Sequence, residues 1–188
     1  MIYRLYYGPD PIEDPDQAHQ YGEILLKYAL LHEKQLDYLN QTIIRNAWGK
    51  PALQDYPQVQ FNVSHCKGLA ACIVADVPVG IDAEVIRPYS PYAAMHTMNR
   101  QELEELRRAP DPNRLFFKYW TLKESCVKAM GQGVAYSMKK VAFEISNEGI
   151  RCLTQPEFQF VLLEDSGPYI IAACYMQGGK PLQIYENI

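Results

Sequence analysis

The sequence predicts a mixed helix-and-strand fold of two related halves that meet at a cleft. Three observations carry this. First, strands come in pairs: "QVQFNVSH" and "LAACIVAD" flank the tight turn "CKG", while "FQFVLLED" and "YIIAACYM" flank "SGP". Second, a helical segment precedes each pair. Third, a weak internal repeat aligns Gln60 with Gln159, Phe61 with Phe160 and Gly68 with Gly167 at one constant offset. The division falls near Asp76 to Pro78. This gives an N-terminal half of residues 1–77 and a C-terminal half of residues 78–188.

The elements follow in order. "MIYRLYYG" is rich in aromatic and branched residues and predicts a strand. "PDPIEDPD" predicts a loop whose last residue, Asp16, caps the next helix. From Gln17 to His32, apolar residues at 18, 21, 24, 25, 28 and 31 keep a helical period. "QTIIRNAWGKP" predicts a short strand and a Gly-Lys-Pro turn. The "CKG" hairpin follows, and then "PVGIDAEVI" as a further strand. "YSPYAAMHTMNRQELEELRRA" predicts short helices that end at "PDPN". "FFKYWTLKESCVKAMGQGV" predicts a helix, apolar over more than one stripe and therefore substantially buried, with Gly131 as its C-terminal cap. "KKVAFEI", "IRCL" and the second strand pair complete the chain.

Composition excludes several classes of function. The 188 residues are 48% hydrophobic and 21% charged, an ordinary globular profile. A net charge of -4 and a pI near 5.6 argue against broad binding to nucleic-acid phosphates. The five cysteines, at 66, 72, 126, 152 and 174, contain no C-x-x-C pair. They predict neither a disulfide framework nor a zinc site, and they suit a reducing cytosol. No signal-peptide pattern and no run of 18 apolar residues occurs, so the expected location is cytoplasmic, with no membrane partner.

Several side chains have the chemistry of a ligand site, each with a plainer alternative. On a strand, Asp82 and Glu84 of "GIDAE" point to the same face. Two carboxylates there either bind a hard cation or form a solvated acidic face. Trp120, Glu124 and Val127 share one helix face, and Glu124 with Lys128 is either a catalytic pair or an i, i+4 salt bridge. Ser64 and His65 end a strand beside Lys67, where they either contact phosphate or form a polar strand end. A Ser64 nucleophile is disfavoured, because no G-x-S-x-G elbow is present. Lys50 in "WGKP" is otherwise a solvated charge. "GQG" follows a helix rather than preceding one, so it is not a phosphate loop.

Taken together and in this order, "WGKP", "FNVSH", "VGIDAE" and "FFKYWTLKESCVKAMGQGV" resemble the 4′-phosphopantetheinyl transferases of the surfactin-synthetase-activating (Sfp) type. The resemblance implies an α+β fold with two similar halves in pseudo-twofold relation, antiparallel sheets and a site in the cleft between them. It implies transfer of the phosphopantetheine arm of coenzyme A to a serine of an acyl or peptidyl carrier protein, with release of 3′,5′-ADP. By the same resemblance, Asp82, Glu84 and Glu124 hold Mg²⁺, with Mn²⁺ as the alternative ion. Lys128 faces the pyrophosphate. Lys50, Ser64, His65, Lys123 and Lys128 contact coenzyme A, and Glu102 matches an acidic position on the preceding helix. Glu124, Lys128 and Asp82 are the expected catalytic residues, with Glu124 as the base.

One departure stands out. Longer relatives grip the 3′-phosphate of coenzyme A with a basic N-terminal segment, whereas here Arg4 is the one Lys or Arg before Lys27. His19 and Gln20 stand where relatives carry arginine nearby, and Lys50, Lys67 or Arg45 are the alternatives. Carrier recognition is expected near "YSPYAAMHTMNRQ", where exposed aromatics and Met95 or Met98 either meet an acidic helical partner or simply pack in the core. The expected assembly is a monomer. The competing readings are a catalytically decayed carrier-binding module and a different Mg²⁺-dependent phosphotransferase.

Overall fold

A computed structural model describes residues 1–7, 15–133, 136–146, 149–164, 167–179 and 183–185. The chain runs β1 (Ile2–Tyr6), α1 (Pro15–Lys34), β2 (Ile43–Arg45), β3 (Pro51–Leu53), β4 (Gln60–Cys66), β5 (Leu69–Ala75) and β6 (Val79–Val85). It continues through α2 (Pro91–Thr97), α3 (Arg100–Arg108), α4 (Pro112–Met130), β7 (Phe143–Ser146), β8 (Gly149–Cys152), β9 (Phe158–Glu164), β10 (Tyr169–Met176) and β11 (Ile184–Tyr185).

The fold is α+β, with two sheet-bearing halves and helices packed around them. One sheet has the order β11-β1-β5-β4 and the other β6-β10-β9. Within each, the hairpin strands pair antiparallel, with Cys66 opposite Leu69 and Ile170 opposite Glu164. The aligned segments of the internal repeat are thus equivalent hairpins.

Side-chain alternation explains the layering. On β5, Ala70, Cys72 and Val74 pack with Leu25, Leu26, Ala29 and Leu30 of α1. Leu69, Ala71 and Ile73 face the other way and pack with Val79, Ile81 and Ala83 of β6 and with Ile171 and Ala173 of β10. The far face of the second sheet, through Ile170, Ala172 and Cys174, packs with Leu122, Cys126 and Ala129 of α4. The order of layers is helix, sheet, sheet, helix. A strand buried on both sides should be apolar throughout, and "LAACIVA" is.

The ends of α4 follow its sequence. Asp111 caps the N-terminus by accepting from the Arg114 amide, and Pro112 takes the first turn. Gly131 closes the C-terminus at φ 67, the left-handed conformation that glycine tolerates.

Two expectations need correction, and one strand was not foreseen. Helix α1 begins at Pro15, so Asp16 lies inside its first turn rather than capping it. Lys139 and Lys140 belong to a 3₁₀ turn, Met138–Lys140, so the strand predicted from "KKVAFEI" starts only at Phe143. The short strand β11 was not anticipated. It pairs parallel with β1, bringing residues 184–185 back to the first sheet. A two-residue parallel partner has no local sequence pattern. The loop "PDPIEDPD", the tip of "SNEG" and part of "SGP" fall wholly or partly outside the described residues.

Candidate active site

The site forms where β4, β6 and α4 meet. β4 is the edge of one sheet and β6 the edge of the other. They are joined by side chains instead of a backbone ladder. The Ile81 amide donates to Asn62 Oδ1 at 2.8 Å, and the Ala83 amide donates to Ser64 Oγ at 3.2 Å. Asn62 and Ser64 share a face of β4, so together they stitch two successive outward amides of β6. Helix α4 presses on β6 at Gly80, where a Cβ would lie 2.0 Å from the Ser125 carbonyl oxygen. Any larger residue would force the helix away from the strand.

This close approach sends Lys128 across to β6. Its Nζ is 2.6 Å from Asp82 Oδ1, donates to the Ile81 carbonyl at 3.1 Å and reaches Ser64 Oγ at 3.3 Å. Ser64 in turn donates to Asp82 Oδ1 at 3.0 Å. Among the described residues Lys128 makes no salt bridge to Glu124, so the plain i, i+4 alternative is not what forms. The Asp82 carboxylate is 6% exposed, and its Oδ2 takes no hydrogen bond.

Glu124 feels the other two acids. Burial first, then the charges of Asp82 and Glu84, push the Glu124 carboxyl up to about 6, against the pull of Lys128. Burial likewise raises Glu84, and the Arg87 guanidinium, 2.7 Å from Glu84 Oε2, opposes that rise. Among the described residues no three acidic, His or Cys side chains close into a metal-ligand set. Each of two carboxylates is held by its own cation: Asp82 by Lys128 and Glu84 by Arg87. The donor chemistry nonetheless fits a hard divalent ion. Burial and the neighbouring charges of Asp82 and Glu84 raise Glu124, and a buried Asp82 oxygen stands without a partner.

His65 is exposed at the end of β4, with its ring 6.2 Å from that of His19 on α1, edge to face. Burial of part of the ring, then His19 and Lys128, lower the His65 pKa. Next to it the Cys66 thiol is pushed up to about 12 by burial, Glu84 and Asp82, so it stays a neutral thiol at the edge of the acidic cluster.

Two predicted contacts are placed elsewhere. Lys123 is fully buried, with Nζ 2.7 Å from Glu102 and donating to the Met138 and Val141 carbonyls. Five residues separate it from Lys128, about 140° around the helix, so it faces the core of the C-terminal half and not the site. Lys50 donates to the Val79 carbonyl at 3.0 Å and to the Ala129 carbonyl at 3.1 Å, and burial lowers its pKa to about 8. It ties the β2–β3 hairpin to the end of α4, and Asn46 adds a bond to the Gly131 carbonyl at 2.9 Å. Ser64 is 7% exposed, its hydroxyl engaged in the seam. Of the predicted recognition residues, Met95 is exposed and Met98 is buried.

Sequence reasoning singled out neither Asn62, Gly80 nor Arg87. Period-two alternation places Asn62 with Ser64, and a glycine inside a strand signals close approach. Arg87 had no such signal.

Taken as a whole, these features define an α+β protein of two sheet-bearing halves, with an acidic site where they join, bridged by one lysine. The chain belongs to the 4′-phosphopantetheinyl transferase superfamily, which it matches over residues 78–174. It is 30% identical over 141 residues to the 4′-phosphopantetheinyl transferase psf-1 of Bacillus pumilus, a match covering 73% of this chain and 60% of that protein. It is 25% identical over 146 residues to the 4′-phosphopantetheinyl transferase Sfp of Bacillus subtilis, covering 76% and 65%. The matches thus span less than two thirds of either relative. Among solved structures, a holo-[acyl-carrier-protein] synthase from Neisseria meningitidis superposes with a TM-score of 0.47 and 17% identity, over 53% of this chain and 97% of that one. No helix among the described residues is long and apolar enough to cross a membrane.

Proposed function

We propose that the protein is a 4′-phosphopantetheinyl transferase of the Sfp type, with coenzyme A as donor and an acyl or peptidyl carrier protein as acceptor. The observation that carries this is the joining of motifs from distant parts of the sequence. Ser64, Asp82 and Lys128 lie within hydrogen-bond distance of one another, and the charges of Asp82 and Glu84 help to raise the Glu124 carboxyl.

In the reaction the carrier serine oxygen attacks the phosphorus that bears the pantetheine arm. The bond from that phosphorus to the oxygen of 3′,5′-ADP breaks, and the serine proton goes to Glu124. A carboxylate with a pKa of about 6 is ionised at neutral pH yet basic enough to accept a proton. Lys128 offsets the charge that grows on the leaving phosphate. Mg²⁺, held by Asp82, Glu84 and Glu124, would neutralise the diphosphate. His65 and its neighbour His19 serve as the contact to a terminal phosphate.

The test incubates the protein with apo-carrier, coenzyme A and Mg²⁺ and reads the carrier by intact-mass spectrometry. The expected result is a carrier gaining one phosphopantetheine, with 3′,5′-ADP released in equal amount. Loss of coenzyme A without carrier modification would instead favour a different phosphotransferase.

A further inference from the structure

Arg87 holds one of the three carboxylates in this site, and neither the family motifs nor the reaction above uses it. It follows β6 directly. One of its guanidinium nitrogens donates both to Glu84 Oε2 at 2.7 Å and to the Val85 carbonyl at 2.9 Å. The guanidinium carbon lies 4.6 Å from the centre of the Phe117 ring. Phe117 and Glu124 are seven residues apart on α4 and so lie on one face. Arg87 therefore sits two turns along that face from Glu124, with Glu84 in its grip.

We propose that Arg87 is a competitor for the cation at Glu84, a positioning residue that occupies this carboxylate until a divalent ion displaces it. The inference rests on the assignment of Asp82, Glu84 and Glu124 as the metal-binding acids. The physical case has two parts. The guanidinium holds Glu84 Oε2 and offsets its charge, so a cation that draws Glu84 in with Asp82 competes with Arg87 for that negative charge and must displace it to take both oxygens. Arg87 also has somewhere to remain: the Phe117 face and the Val85 carbonyl hold it once Glu84 is taken. The exchange costs one charge-assisted hydrogen bond on a side chain that is 52% exposed. Such pairs are weak, so the device tunes affinity without blocking it.

The experiment titrates Mn²⁺ into the protein without coenzyme A and follows free Mn²⁺ by its paramagnetic resonance signal. Arg87→Gln should bind Mn²⁺ about two- to fivefold more tightly than the unaltered protein, the range expected for losing one exposed pair. Arg87→Lys, which keeps a charge beside Glu84, should return towards the original affinity. Arg100→Gln removes an equal charge at a site paired with Glu104 instead, and should change nothing. Melting curves in chelator identify any variant that is merely misfolded. If Arg87→Gln binds Mn²⁺ no more tightly than the original protein, the competitor role is wrong while the metal assignment stands. If neither protein binds Mn²⁺, both are wrong.

Discussion

At the scale of single residues, Glu124 sets function against stability. Its carboxyl ionises only above about 6 in the folded protein, but near its ordinary, lower value in the unfolded chain. The charged form is therefore disfavoured by folding, at a cost of about 2 kcal/mol above pH 6. That cost shrinks as pH falls from about 6 towards 4.5 and is absent below. In chelator near neutral pH, Glu124→Gln should raise the melting temperature by a few degrees. The gain should disappear by about pH 4.5, while transfer falls about 10²–10³-fold. A lower melting point in the variant at neutral pH would show that Glu124 has a cation of its own. His65 makes the opposite kind of prediction. Its lowered pKa leaves the ring neutral at physiological pH, and a bound phosphate favours the imidazolium. Coenzyme A should bind more tightly as pH falls from about 8 to 6. His65→Asn should flatten that slope, as isothermal titration at several pH values would report. These two histidines were legible as polar residues near the site. Their pairing was not, because they come from a helix and a strand separated by 46 positions.

At the scale of elements, α4 carries two kinds of lysine, and sequence alone could not sort them. Lys128 faces the seam between the halves. Lys123 and Glu102 form an ion pair that is almost wholly buried. Glu102 also completes the capping box of α3 with Asn99, so one carboxylate fastens two helices. Removing one partner of a buried pair leaves an uncompensated charge, which costs about 3–5 kcal/mol. Lys123→Met should lose stability of that order in a denaturant titration, and Lys123→Met with Glu102→Gln should recover much of it. Coenzyme A affinity of the folded fraction should stay unchanged. A loss of affinity with full stability would return Lys123 to the ligand site. The mixed apolar faces and glycine exit of the helix were readable within one local stretch, but its entry was not: "PDPN" reads as the end of the preceding helices, whereas Pro112 opens α4.

At the scale of the whole molecule, the halves meet through side chains where a continuous sheet would use backbone. Asn62→Ala would leave the outward amide of Ile81 without its acceptor, and an unpaired amide of that kind costs about 1–3 kcal/mol. Because Ser64 and Asp82 lie next along the same seam, the variant should lose transfer activity as well as stability, with kcat falling more than KM rises. Denaturant melts and steady-state kinetics on the same preparation check this. Full activity with reduced stability would show that the seam supports the fold without positioning the site.

The sequence by itself determined the paired strands, the helix preceding each pair, the left-handed end of α4 and the acids of "GIDAE" on one face. Each depends on neighbours within a few residues, where period and conformational preference act directly. Only the tertiary structure decided that Lys128 bridges to Asp82 and not to Glu124, that Lys123 turns into the core, that Lys50 ties off a helix end and that Arg87 holds Glu84. A charged side chain can reach several partners, and which one it meets depends on burial and on contacts between segments far apart in the chain.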